Sequence, residues 1–159
     1  MRIEVAKIHK RITRRDDRKY GIINYDSDNA YPQRTMDIVN GSGIAVSCID
    51  IFFKFINGSG FVAGGDNMVN SKMTMNELLR KHALDYARHK GFVTHFNYTI
   101  TGEVASVDHI PFSYCRLAVN KDTDEVDGIA VYDDWDREKR KKVKKDDIDR
   151  IDLYDPRGS

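Results

Sequence analysis

The side chains best equipped for chemistry are five histidines, His9, His82, His89, His95 and His109, and two cysteines, Cys48 and Cys115. Zinc sites draw ligands from closely spaced Cys or His pairs, and neither cysteine has such a neighbour. His82 and His89 fall two helical turns apart, too far to share an ion without another ligand between them. No metal and no cofactor is expected. Cys115 could pair with His109 or His95 as a nucleophile and base, but it lies in an apolar strand passage, where a thiol is inert and its pKa rises. The carboxylates cluster in Asp-rich surface runs, with no apolar pocket to separate their pKa values. Gly58, Gly60, Gly64 and Gly65 lack the preceding strand and the Gly-Lys-Ser ending of a phosphate-binding loop. A non-enzyme is expected, with no catalytic residue.

Charge is the next resource. Lys and Arg number 26 against 25 Asp and Glu, so the whole molecule exerts no long-range pull on nucleic acid or an anionic membrane. Two runs are locally basic. Lys7, Lys10, Arg11, Arg14, Arg15, Arg18 and Lys19 make a basic N-terminal arm or solvated linker. Arg137 to Lys145 is the second, bracketed by Asp133, Asp134 and Asp136 and by Asp146, Asp147 and Asp149. Lys141, Lys142, Lys144 and Lys145 are the candidate nucleic-acid contacts. They would meet phosphates without reading sequence, and no aromatic side chains interleave them as a single-strand platform requires. Weak, non-specific DNA contact is the most they imply.

The elements that must position these groups follow from punctuation and period. Asn40-Gly41-Ser42-Gly43 and Asn57-Gly58-Ser59-Gly60 each predict a helix stopped by a left-handed residue. Pro32 opens the first helix, with Met36 and Val39 on one face. Residues 43 to 57 carry two apolar stripes. Ile44, Cys48, Ile51, Phe52 and Phe55 form one, and Val46, Ile49, Phe53 and Ile56 the other, which predicts a central helix buried on both sides. The run is too short for a membrane span and contains Asp50 and Lys54. Residues 62 to 72 read as a surface loop. Thr74-Met75-Asn76-Glu77 is a capping box that starts a third helix. Its apolar stripe is Met75, Leu78, Leu79, His82, Tyr86 and His89, with a Glu77–Lys81 pair opposite, Leu84 exposed and Gly91 as the stop.

Residues 92 to 100 and 104 to 110 alternate as strands about a Thr101-Gly102 turn. Pro111 breaks the second strand, Tyr114 to Val119 resumes it, and short strands follow at Ile129 to Tyr132 and Ile148 to Tyr154. The fold class is α+β, with N-terminal helices packed on a mostly antiparallel sheet. Residues 1–20 are the arm, 21–155 one domain and 156–159 a tail. The 159-residue length and 40% hydrophobic content suffice for one core without disulfides. With no signal peptide apparent, reduced thiols in a cytoplasm are expected.

Asn29-Ala30-Tyr31-Pro32, a short helix, a small-residue break, an apolar helix and Asn57-Gly58-Ser59-Gly60-Phe61 together resemble the N-terminal, wing-like region of tailed-bacteriophage portal proteins. The similarity continues from Met75 to Leu117 and is visible again in Asp108-His109-Ile110-Pro111-Phe112-Ser113-Tyr114-Cys115-Arg116-Leu117. It covers two-thirds of the chain and rests on order and spacing. The resemblance implies a structural subunit of a ring at the capsid vertex, used for DNA packaging and tail attachment. It implies other portal subunits, capsid and packaging proteins as partners, no membrane, and a place in the virion and, during assembly, in the bacterial host cytoplasm. Stem, crown and much of the clip would be missing, so a truncated subunit is expected. The alternative is a free-standing α+β adaptor that binds a protein through its sheet edge.

Solvated charges contribute little to stability. Replacing Lys141, Lys142, Lys144 and Lys145 with Gln is therefore predicted to leave the melting temperature unchanged. Any duplex binding by the parent should be weak and fall steeply with added salt. Tight binding at physiological salt, measured by filter retention, would contradict this.

Overall fold

The computed structural model describes residues 16–17, 19–135 and 144–154. In chain order its elements are β1 (Asp16–Asp17), β2 (Ile22–Ile23), α1 (Tyr31–Asn40), α2 (Gly43–Asn57), β3 (Met68–Asn70), β4 (Met73–Thr74), α3 (Met75–His89), β5 (Val93–Tyr98), β6 (Val104–Ile110), β7 (Cys115–Val119), β8 (Val126–Val131) and β9 (Asp149–Asp152). Single 3-10 turns lie at Phe112–Tyr114 and Lys145–Asp147. The class is α+β, and every strand pairing among the described residues is antiparallel.

The strands divide into three sheets instead of one. Five strands pair in the order β1-β2-β7-β8-β9, while β3–β4 and β5–β6 are separate hairpins. Pro111 is the cause of the division. It has no N–H to continue a ladder, and the chain turns there, with Tyr114 N donating to Pro111 O at 2.9 Å. So β7 leaves the β5–β6 hairpin and enters the larger sheet between β2 and β8, where four of its five residues are buried.

The core sits on that sheet. Tyr20, Ile22, Ala118, Ala130 and Trp135 form it, with Tyr132 and Ile148 packed against them. Trp135 is fully buried, its indole N–H donating to Tyr114 O at 2.7 Å. A buried Trp needs such a partner for its one polar atom. The expected arm over residues 1–20 is thereby corrected at its end: β1 pairs with β2, and Tyr20 is a core residue. Residues 1–15 and the 156–159 tail lie outside the described residues.

The helices follow their caps more closely than their expected faces. Ser42 accepts from Ala45 N and starts α2, and Thr74 and Glu77 form the predicted reciprocal box at α3. Gly58 stops α2 at φ 52°, but Gly41 is right-handed, so the first Asn-Gly-Ser-Gly is a corner through which α1 and α2 bend by 107°. At α3 the left-handed residue is Lys90, not Gly91. Gly91 serves a close approach instead, because a Cβ there would stand 2.6 Å from the Phe112 ring.

The central-helix expectation is overturned. No residue of α2 is buried. Ile49, Phe52, Phe53 and Ile56 are half-covered, whereas Ile44 is 80%, Ile51 68% and Phe55 85% exposed. The neighbours of α2 are α1 and α3, and they cover one of its stripes. In α3 the buried positions are Leu78, Ala83, Asp85 and Ala87. Leu84 is half-buried, while Met75 and Tyr86 of the expected stripe are exposed. This helix packs both on α2 and on the strands β3, β4 and β6, so its covered arc is wider than one stripe. The Glu77 carboxylate accepts from Thr74, and the charge of Lys81 acts on it as well. The 62–72 loop contains β3, which pairs with β4.

Trp135→Ala is predicted to cost about 3–5 kcal/mol, the usual loss for a buried aromatic. Phe55→Ala should change stability by no more than about 0.5 kcal/mol. Urea unfolding of both variants checks the order, and a reversal would return the core to α2.

Candidate functional site

The groups with chemical potential gather where α3 meets the β5–β6 hairpin. Asp85, on the buried side of α3, accepts from His109 Nε2 at 2.8 Å and from Phe112 N at 2.9 Å through the same carboxylate oxygen. His82 lies one turn before Asp85, stacks on Phe92 with ring centres 4.6 Å apart, and stands 5.6 Å from His109. Its Nε2 is 3.2 Å from Thr94 Oγ1. His89 stacks on Phe112 at 5.3 Å, and Tyr25 stacks on the same ring.

Burial holds His82 below the ordinary histidine value, and the neighbouring His109 adds to that depression while Asp85 opposes it. His89 is lowered chiefly by burial as well. These contacts fasten helix to hairpin, although Nδ1 of His89 is buried without a hydrogen-bond partner among the described residues. The Thr94 hydroxyl lies within hydrogen-bond reach of His82.

Cys115 is not an activated thiol. Its thiol donates to Pro111 O at 3.5 Å, and burial pushes its pKa up to about 12, with Arg116 opposing. A thiol so raised carries almost no thiolate near neutrality. His109 is engaged with Asp85, and His95 sits opposite Asp108 in the β5–β6 ladder. Cys48 lies exposed on α2. Among the described residues no cluster of three or more His, Cys, Asp or Glu side chains could hold a metal ion.

Of the four lysines singled out for nucleic acid, Lys144 and Lys145 lie exposed around the 3-10 turn before β9. The backbone N–H of Lys144 donates to Asp147 at 3.0 Å, a local bond of that turn. Lys141 and Lys142 fall outside the described residues.

The largest unsatisfied feature is apolar. Ile44, Cys48, Ile51 and Phe55 repeat at spacings of four, three and four along α2, the interval at which one helix presents a seam to another. All four are exposed. Beside them Lys54 and Asp50 form an ion pair at 2.6 Å, a polar margin to the apolar stripe. Among the described residues no single helix is long and apolar enough to cross a membrane. Scattered exposed apolar residues are ordinary, but a continuous row on one helix marks a surface that something else covers.

Comparison of the chain with protein-family models, with curated proteins and with solved structures finds no match. The sequence pattern contained most of the α2 seam, since its residues are four of the five in one predicted stripe, and the fifth, Phe52, is half-covered. Missing from the pattern was any sign of which stripe would be left open. The Asp85–His109 bond had no signal at all, because its residues lie 24 positions apart on different elements.

The histidine joint predicts a pH dependence. His82 and His89 have folded values below the ordinary 6.5, so the unfolded chain binds more protons as the pH falls past that value. Stability should be full above this range, decline as pH drops through it, and level off below the folded values. Urea midpoints at pH 7.5 and 5.5 should show the loss, and His82→Gln should reduce it. An unchanged difference in that variant would remove His82 as a cause.

Proposed function

We propose that the chain is a structural, non-enzymatic subunit of a tailed-bacteriophage or prophage portal, contributing to the ring at the capsid vertex used for DNA packaging and tail attachment. The open seam of Ile44, Ile51 and Phe55 carries this reading. A ring subunit presents one surface to the next copy and a different surface to the previous one, and each must be left uncovered within the single chain. An exposed apolar helix face beside a polar margin suits that use. The order of elements from Asn29 to Leu117, which resembles portal subunits, supplies the particular assembly. Its partners would be other portal subunits with capsid and packaging proteins, in the host cytoplasm during assembly and then in the virion. Contact with DNA would be weak and non-specific.

A free-standing adaptor is the second reading. The β5–β6 hairpin favours it, because Tyr98, Ile100 and Val104 leave its tip apolar and exposed.

Alone, the chain is expected to be monomeric or weakly self-associating by light scattering over a hundredfold range of concentration. Expressed with the proteins of the neighbouring reading frames, it should enter ring-sized particles visible by electron microscopy. Ile51→Ser combined with Phe55→Ser should keep the melting temperature but lose incorporation. A parent chain that never enters such particles, or a double variant that enters them equally well, would overturn the proposal. A stable complex of one copy with a single partner would instead establish the adaptor.

A further inference from the structure

An open groove of about 950 Å³ lies between the β3–β4 hairpin, the first turns of α3 and β6. It is separate from the α2 seam in residues and in chemistry. Lys72, Arg80 and Lys81 line it with three cations. The backbone N–H of Lys72 donates to Asn70 Oδ1 at 2.9 Å, and, after the hydrogen bonds from Thr74, the charges of Lys81 and Arg80 help hold the Glu77 carboxyl below its ordinary range. The two carboxylates in the lining are already engaged. Glu77 accepts from the Thr74 backbone at 2.7 Å and from its hydroxyl at 3.1 Å. Asp108 accepts from Asn70 Nδ2 and from Asn97 Nδ2, each at 2.8 Å, on different oxygens. The Ser106 hydroxyl also donates to Asp108 at 3.4 Å, so three donors fix the carboxylate and about one of its roughly four acceptor positions is left.

Apolar surface completes the lining. Met68 is exposed, Val69 half-covered and Met73 buried beneath them. Methionine adapts its shape to irregular partners and is favoured where a surface must accept more than one side chain.

We propose that this groove binds an extended, acidic segment of a partner polypeptide. Carboxylate side chains of the segment would meet Lys72, Arg80 and Lys81, which outnumber the two carboxylates of the lining. A main-chain N–H of the segment would donate to Asp108. Apolar side chains alternating with the acidic ones would lie on Met68 and Val69. This division of labour, main chain for attachment and alternate side chains for selection, is how extended peptides are commonly held.

Nucleic acid suits the groove less well. The lining has no aromatic ring on which a base could stack. The proposal is independent of ring assembly, because it uses none of the α2 residues.

A fluorescein-labelled peptide of alternating Asp and Leu, followed by polarisation at low salt, tests it directly. A labelled peptide of alternating Lys and Leu and a labelled oligothymidylate serve as comparisons. The acidic peptide should bind more tightly than both. Arg80→Ala with Lys81→Ala should weaken it roughly tenfold, as expected for two lost charge contacts, with the melting temperature unchanged. Lys72→Ala should weaken it less. Ile51→Ser with Phe55→Ser should leave binding intact, which separates the groove from the α2 seam. Absence of binding, equal binding by the Arg80 and Lys81 double variant, or tighter binding of the oligothymidylate would each overturn the proposal.

Discussion

Burial of the Arg116 guanidinium is the constraint on which the rest of the fold depends. Taking a charge out of water costs several kcal/mol unless its donors are satisfied. Here they are met from three directions. Nε donates to Asn29 Oδ1 at 2.5 Å, Nη2 to Asn29 O at 2.7 Å and to Gln33 at 3.3 Å, and Nη1 to the carbonyls of Ser113 and Cys115. The rings of Tyr25 and Trp135 lie 4.8 and 5.0 Å from its central carbon, where the faces of aromatic rings attract a cation. Arg116 belongs to β7, Asn29 and Gln33 to the entry of α1, and Ser113 to the 3-10 turn, so one side chain pins the large sheet to the helices. Asn29 can serve because it tolerates φ 62°, a left-handed conformation that its short polar side chain supports better than most.

A second joint begins where the first ends. The 3-10 turn that offers Ser113 O to Arg116 also gives Phe112, whose backbone N–H goes to Asp85 and whose ring stacks between Tyr25 and His89. Gly91 leaves room for that ring. Sheet, helices and hairpin are therefore connected through a few residues around Pro111, and Asp85 and Arg116 stand on either side of the connection. Polar groups carry much of this burden because the apolar core, centred on Trp135, belongs to the sheet. Burying them unpaired would be costly, which makes the arrangement specific as well as cohesive.

The α2 helix shows the converse. Its apolar content exceeds what α1 and α3 can cover, and the surplus faces outward as a seam. Left open, such a surface favours association. The groove beside β6 differs in kind, since charged side chains line it and the seam is apolar.

Local signals settled the parts of this protein that depend on neighbours in sequence. The Thr74–Glu77 box, the stop at Gly58, the β5–β6 hairpin and the break at Pro111 were all readable, because each is decided by residues close together in sequence. The α+β class followed from their order. Which of the α2 stripes would be covered was not readable, because periodicity reports that a face is apolar and is silent about whether anything lies against it. Nor did the sequence mark Arg116 and Trp135 as the centre of the core, or bring Asp85 to His109 and Asn70 to Asp108. Those contacts join residues far apart in the chain, and only the closing of the sheet against the helices fixed the distances that let them form.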